Sequence, residues 1–118
     1  MNPNMPDYYQ FIRITSPHDT SSITKLFCVW GGGYTRGDSW KINSGVSKVE
    51  RTEHGWDVYG YSGSCYTVFA EGEGNMNAYG SGVLQSIISK AEAGGISLEL
   101  VSLGNVIDEF GGQDNVHN

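Results

Sequence analysis

Apolar and polar residues alternate through the first two thirds of the chain, and the period then lengthens to that of a helix. Tyr9-Gln10-Phe11-Ile12-Arg13-Ile14 largely alternates, which predicts a half-buried strand. Ser16-Pro17-His18-Asp19 reads as a turn. Ile23 to Trp30 is rich in β-branched and aromatic residues and predicts a second strand. Gly31-Gly32-Gly33 ends it, a loop runs from Tyr34 to Ser39, and Trp40-Lys41-Ile42 resumes extended structure. Three short β-like runs follow, Val46 to Thr52, Trp56 to Tyr61 and Ser64 to Ala70. Their gaps, Glu53-His54-Gly55 and Ser62-Gly63, are short and carry glycine, as antiparallel hairpins do. The middle of the chain is therefore expected to be a β-meander.

Val83, Leu84, Ile87, Ile88 and Ala91 then fall on one stripe of an α-helix, with Gln85, Ser86, Ser89, Lys90 and Glu92 on the other side. Ser81 or Asn77 is placed to cap its start, and Gly94 or Gly95 its end. The meander is the expected cover for the stripe. Ile96, Leu98 and Leu100 alternate with Ser97 and Glu99, predicting a last strand. Val106, Ile107 and Phe110 suit one further helical turn capped by Asn105. The expected fold class is α+β, a single antiparallel β-sheet (the meander) with one main α-helix packed on one face. Residues 1–118 are read as one domain with a flexible N-terminal arm (1–8) and a loose C-terminal tail (111–118).

Composition adds limits. A length of 118 residues suits one core, and 17 glycines, spread without a repeat, mark many tight turns. A net charge of −6 disfavours direct nucleic-acid binding, which needs Lys and Arg against phosphates, and disfavours an anionic membrane surface. A basic protein surface is the better electrostatic match. Met1 to Gln10 is polar, with no basic stretch leading into an apolar one, so the expectation is a cytoplasmic chain. Cys28 and Cys65 are then expected reduced, each as a small core residue, with Cys65 sharing a face with Thr67 and Phe69.

Catalytic and metal patterns fit the chain poorly. Gly60-Tyr61-Ser62-Gly63-Ser64 approaches the G-x-S-x-G nucleophile elbow, but Ser64 stands where glycine is needed and a strand follows instead of a helix. His18, His54 and His117 are scattered, and no Cys or His pair has zinc spacing, so neither metal nor cofactor is expected. Gly72-Glu73-Gly74-Asn75-Met76-Asn77 lacks the last glycine of a dinucleotide loop.

Two segments stand out. In Trp30-Gly31-Gly32-Gly33-Tyr34-Thr35-Arg36-Gly37-Asp38-Ser39-Trp40, glycine backbone and Arg36 suit an anion, and the aromatic rings suit stacking on a base. Trp30, Gly32, Gly33, Tyr34, Arg36 and Trp40 are the candidate nucleotide-binding residues; the competing reading is a loop with its tryptophans in the core. The second segment, Tyr59-Gly60-Tyr61-Ser62-Gly63-Ser64-Cys65-Tyr66, offers Tyr59, Tyr61 and Tyr66 as a protein-binding surface if they face outward. Cross-strand aromatic packing is the alternative.

Trp40-Lys41-Ile42-Asn43-Ser44-Gly45-Val46, Gly60-Tyr61-Ser62-Gly63-Ser64-Cys65-Tyr66 and Ala78-Tyr79-Gly80 together resemble small accessory proteins of tailed bacteriophages, over roughly residues 40 to 90. That resemblance implies a short protein acting in the host cytoplasm, of a kind that often disables host functions or host defences by binding them. Three hypotheses result. The first is a non-catalytic, counter-defence type of inhibitor that binds a host or host-defence protein. The second is a protein that sequesters a nucleotide signal, with a site between subunits; glycine-rich edges and spare aromatics are compatible with a homodimer. The third is a small thiol- or serine-dependent hydrolase using Cys65 or Ser64.

Overall fold

In the computed structural model, residues 4–18, 21–32 and 37–111 are described. Among them the order is β1 (Tyr8–Thr15), β2 (Ser22–Trp30), β3 (Ser39–Ile42), β4 (Val46–Arg51), β5 (Trp56–Gly60), β6 (Cys65–Val68), a 3-10 turn (Ala70–Gly72), α1 (Ala78–Ala93), β7 (Ser97–Val101) and α2 (Leu103–Phe110). The α+β class holds, but the strands form two antiparallel sheets, not one: β3-β2-β1-β7 and β4-β5-β6.

The split has a local cause. Asn43 follows β3; its N–H donates to the Leu26 carbonyl and its Oδ1 accepts from Leu26 N. Two residues on, Gly45 has φ of +133°, a conformation disfavoured for residues with a Cβ. The chain is thus held to β2 through Asn43 and then turned away, so that β4 begins a second sheet. A Cβ at Gly45 would also lie 2.7 Å from Ile23 Cδ1 and 2.8 Å from Tyr61 Cδ2.

Strand alternation sorts the core. Tyr9 and Phe11 pair with Cys28 and Leu26, and Trp30 shares their face. These residues meet Val46, Val49, Val58, Tyr66 and Val68 of the meander, and Val101, Leu103 and Val106 complete the cluster. The opposite face of the four-stranded sheet carries Ile12, Phe27 and Val29, also fully buried. The meander was the expected cover for the main helix. Instead α1 lies on this opposite face, where a Cβ at Gly80 would sit 3.0 Å from Val29 Cγ2. The meander already uses its apolar side against the other sheet.

Asn77 caps α1 by accepting Gly80 N through Oδ1 at 2.7 Å, and Gly94 is its C-cap. The expected terminal turn is a two-turn helix, α2, capped by Ser102 and not by Asn105, with Leu103 and Val106 buried. Arg13 of β1 forms an ion pair with Glu109 of α2. The expected flexible arm is built into the fold from Asn4 onward: Asn4 accepts Thr67 N, Pro6 is buried, and Asp7 N donates to Val29 O. Residues 1–3 and the tail 112–118 lie outside the described residues. Among the described residues no helix is long and apolar enough to cross a membrane.

Candidate functional site: the groove between β3 and α1

A helix about 10 Å across is narrower than four strands spaced about 4.8 Å apart. One helix therefore leaves the margins of its sheet uncovered. Large apolar side chains emerge at both: Trp40 of β3 is 44% exposed and Leu100 of β7 is 55% exposed. On the β3 side the gap is a groove of about 540 Å³ lined by Trp40, Tyr79, Gly82, Val83, Ile87 and Lys90, among others. Val83 and Ile87, expected within a covered stripe, remain half-buried. Among the described residues, nothing beyond its own turn of helix comes within 4 Å of where a Cβ on Gly82 would stand, so that side of the helix opens outward.

Polar ties join the two walls just beyond one end of the groove. Asp38 accepts Gly32 N through Oδ1 at 3.2 Å and Asn77 Nδ2 through Oδ2 at 3.3 Å. It thereby joins the segment leading into β3 to the N-cap of α1. Trp40 packs against Phe27 at a ring separation of 5.9 Å, which fixes the indole as one wall. Lys90 is the charged side chain of the lining and lies in the last turn of α1, where the helix dipole favours a cation.

The structure divides the proposed nucleotide-binding set. Trp30 is 6% exposed, faces the meander and packs on Tyr66 at 6.2 Å. Trp40 pairs with Val29, one position away, and so faces the helix side. The two indoles point to opposite sides of one sheet and cannot flank the same ring. Gly32 is half-buried and its N–H is taken by Asp38. Gly33, Tyr34 and Arg36 lie outside the described residues.

The tyrosines also separate. Tyr61 is 65% exposed, and its ring lies over Gly45. Tyr59 is half-buried on the outer side of the meander; its hydroxyl donates to Glu50 and Lys48 Nζ stands 4.8 Å from its ring centroid. Tyr66 does not face out. The β5–β6 register pairs it with Val58, whose face is the core. That register also corrects Cys65: it lies opposite Tyr59 on the outer side, half-buried, while Cys28 is in the core as expected.

Neither candidate nucleophile is activated in this setting. Burial, and then Asp57, push the Cys65 thiol above its ordinary pKa, and a protonated thiol is the unreactive form. Ser64 Oγ is buried with no hydrogen-bond partner among the described residues, so no base is in contact with it. No group of three His, Cys, Asp or Glu among the described residues is arranged to hold a metal.

Comparison with protein-family models, curated proteins and solved structures gives no match. Sequence reasoning found Trp40 but missed its companions Tyr79 and Lys90. A signal for them was present: Tyr79, Val83 and Ile87 recur every four residues beside the row Ala78, Gly82, Ser86 and Lys90.

Proposed function

We propose that this chain is a non-catalytic, phage-type accessory protein that inhibits a host or host-defence protein by binding it directly, with the groove beside Trp40 as the contact. The observation that carries this reading is the partly exposed indole over a half-buried floor of Tyr79, Val83 and Ile87. A groove along a helix, lined by apolar side chains spaced along it, suits an amphipathic helix of a partner, and tryptophan is among the residues that most often dominate such interfaces. The surplus of negative charge steers the approach toward a basic surface.

The test is affinity capture from a bacterial lysate with the wild-type chain, followed by titration of the isolated partner against wild type and Trp40→Ala. Loss of an interface hot spot of about 2 kcal/mol predicts binding weaker by about 30-fold. A Trp40→Ala chain that holds the same partner at wild-type affinity removes the groove from the proposal.

A second reading, nucleotide sequestration, is favoured by the size of the groove, which lies within the range of small-molecule sites, and by Lys90 on its wall. Native mass spectrometry of gently purified protein separates the two. A nucleotide-sized added mass that disappears in Lys90→Ala supports sequestration, and an added protein mass supports the inhibitor.

A further inference from the structure

The segments Asn43-Ser44-Gly45 and Gly60-Tyr61-Ser62-Gly63-Ser64 are far apart in sequence and meet at the joint between the two sheets. Tyr61 N donates to Gly45 O, and Ser62 N donates to Ser44 Oγ at 2.9 Å. Ser44 Oγ in turn donates to Ser62 Oγ at 3.2 Å. The contact is polar, and it stands outside the groove.

Two buried groups at this joint have no partner among the described residues, Asn43 Nδ2 and Ser64 Oγ. Asn43 is 5% exposed. Its amide orientation is fixed, because Oδ1 accepts from both Leu26 N at 2.9 Å and Gly45 N at 3.2 Å, leaving Nδ2 to point elsewhere. The two groups are also directed to one place. A Cβ on Gly60 would lie 2.8 Å from Ser64 Oγ, 3.0 Å from Ser44 Oγ and 3.3 Å from Asn43 Nδ2. Three polar atoms therefore gather around the Cα of Gly60, close enough that even a methyl there would crowd them.

An unpaired buried donor costs about 1–3 kcal/mol, so two such groups at one spot call for a shared partner. That partner must both accept, from the Asn43 amide, and exchange hydrogen bonds with hydroxyls. Buried waters meet this description and typically make about three hydrogen bonds to such groups.

We propose that one internal water is bound here, bridging Asn43 Nδ2 and Ser64 Oγ with Ser44 Oγ as a third partner, and that Gly60 is required to leave room for it. The water links the strand crossover held to β2 with the β5–β6 turn, and so joins the two sheets beneath exposed Tyr61.

The test uses the full chain. A crystal structure at near-atomic resolution is expected to show an ordered oxygen within hydrogen-bond distance of both Asn43 Nδ2 and Ser64 Oγ. In solution, the Asn43 side-chain amide protons are expected to show a cross-peak to a long-lived water, weakened in Ser64→Ala and retained in Ser62→Ala. Ser64→Ala removes one of the water's partners and is expected to keep the fold, whereas Gly60→Ala places a methyl against three polar atoms and is expected to lower the melting temperature. A structure in which Asn43 Nδ2 bonds a protein acceptor, or a water cross-peak of equal strength in Ser64→Ala, overturns the proposal.

Discussion

The two faces of the four-stranded sheet are covered in different ways. Toward the meander, Phe11, Leu26 and Cys28 are wholly buried between two sheets, with α2 closing the side. Toward α1, the central Ile12, Phe27 and Val29 are equally buried, yet Trp40 and Leu100 at the margins are open. A sheet covers a sheet across its breadth, while a single helix covers a strip. The α1 face is the richer of the two in apolar side chains, with Ile14, Ile23, Ile42 and Leu98 beside those already named, yet its cover is the narrower, and that mismatch decides which face can receive something else.

The sharpest way to break this comparison is to shorten one side chain on each face. Leu26→Ala, on the meander side, is expected to cost about 2–5 kcal/mol in a urea titration. Ile87→Ala, on the half-buried helix side, is expected to cost clearly less. Equal losses would mean that α1 is packed as tightly as the meander.

A Cys28, Tyr9 double variant turns a pH titration into a probe of the meander side. Burial raises the pKa of both Cys28 and Tyr9, and Glu73 and Glu71 add to the effect on Tyr9. Both groups are neutral when protonated, so the folded state holds their protons more firmly than the unfolded chain. Their contribution is complete below the unfolded values, near ~8.5 for Cys and ~10 for Tyr, and is lost as pH rises above them. The urea midpoint is therefore expected to fall between neutral and strongly alkaline pH, less steeply in a Cys28→Ala, Tyr9→Phe double variant. An equal slope in that variant would locate the alkaline sensitivity elsewhere.

The smallest expected effect belongs to the helix side. Asn77→Ala deletes the cap of α1 and its tie to Asp38, for a loss of about 1 kcal/mol in a urea titration. A loss as large as that of Leu26→Ala would show that the groove depends on a single tie.

Much of this architecture is readable from the chain. The 3.6-residue stripe locates α1, and glycine-bearing gaps locate the hairpins. The number of sheets is not readable, because alternation looks the same whether β4 extends the first sheet or starts a second. The decisive turn depends on Asn43 bonding back to Leu26, a long-range contact with no periodic signature. The facing of Cys65 and Tyr66 is similar: apolar residues occupy both parities of that run, and only the pairing of Val58 with Tyr66 selects the buried one. One available sign was the unbroken apolar run Leu26-Phe27-Cys28-Val29-Trp30, which marks a strand covered on both faces. Of the site, Trp40 was visible as an aromatic flanking a loop, but its position opposite Trp30 follows from strand parity once β3 is paired to β2.

The three tryptophans occupy three surroundings: Trp30 against Tyr66 in the core, Trp56 beneath the Arg51 guanidinium at 5.1 Å, and Trp40 in the open groove. The chain thereby carries its own optical probes, one for each part of the molecule. A water-soluble quencher reaches the Trp40 emission first, and an occupant of the groove shields that emission while leaving the signal from the core unchanged.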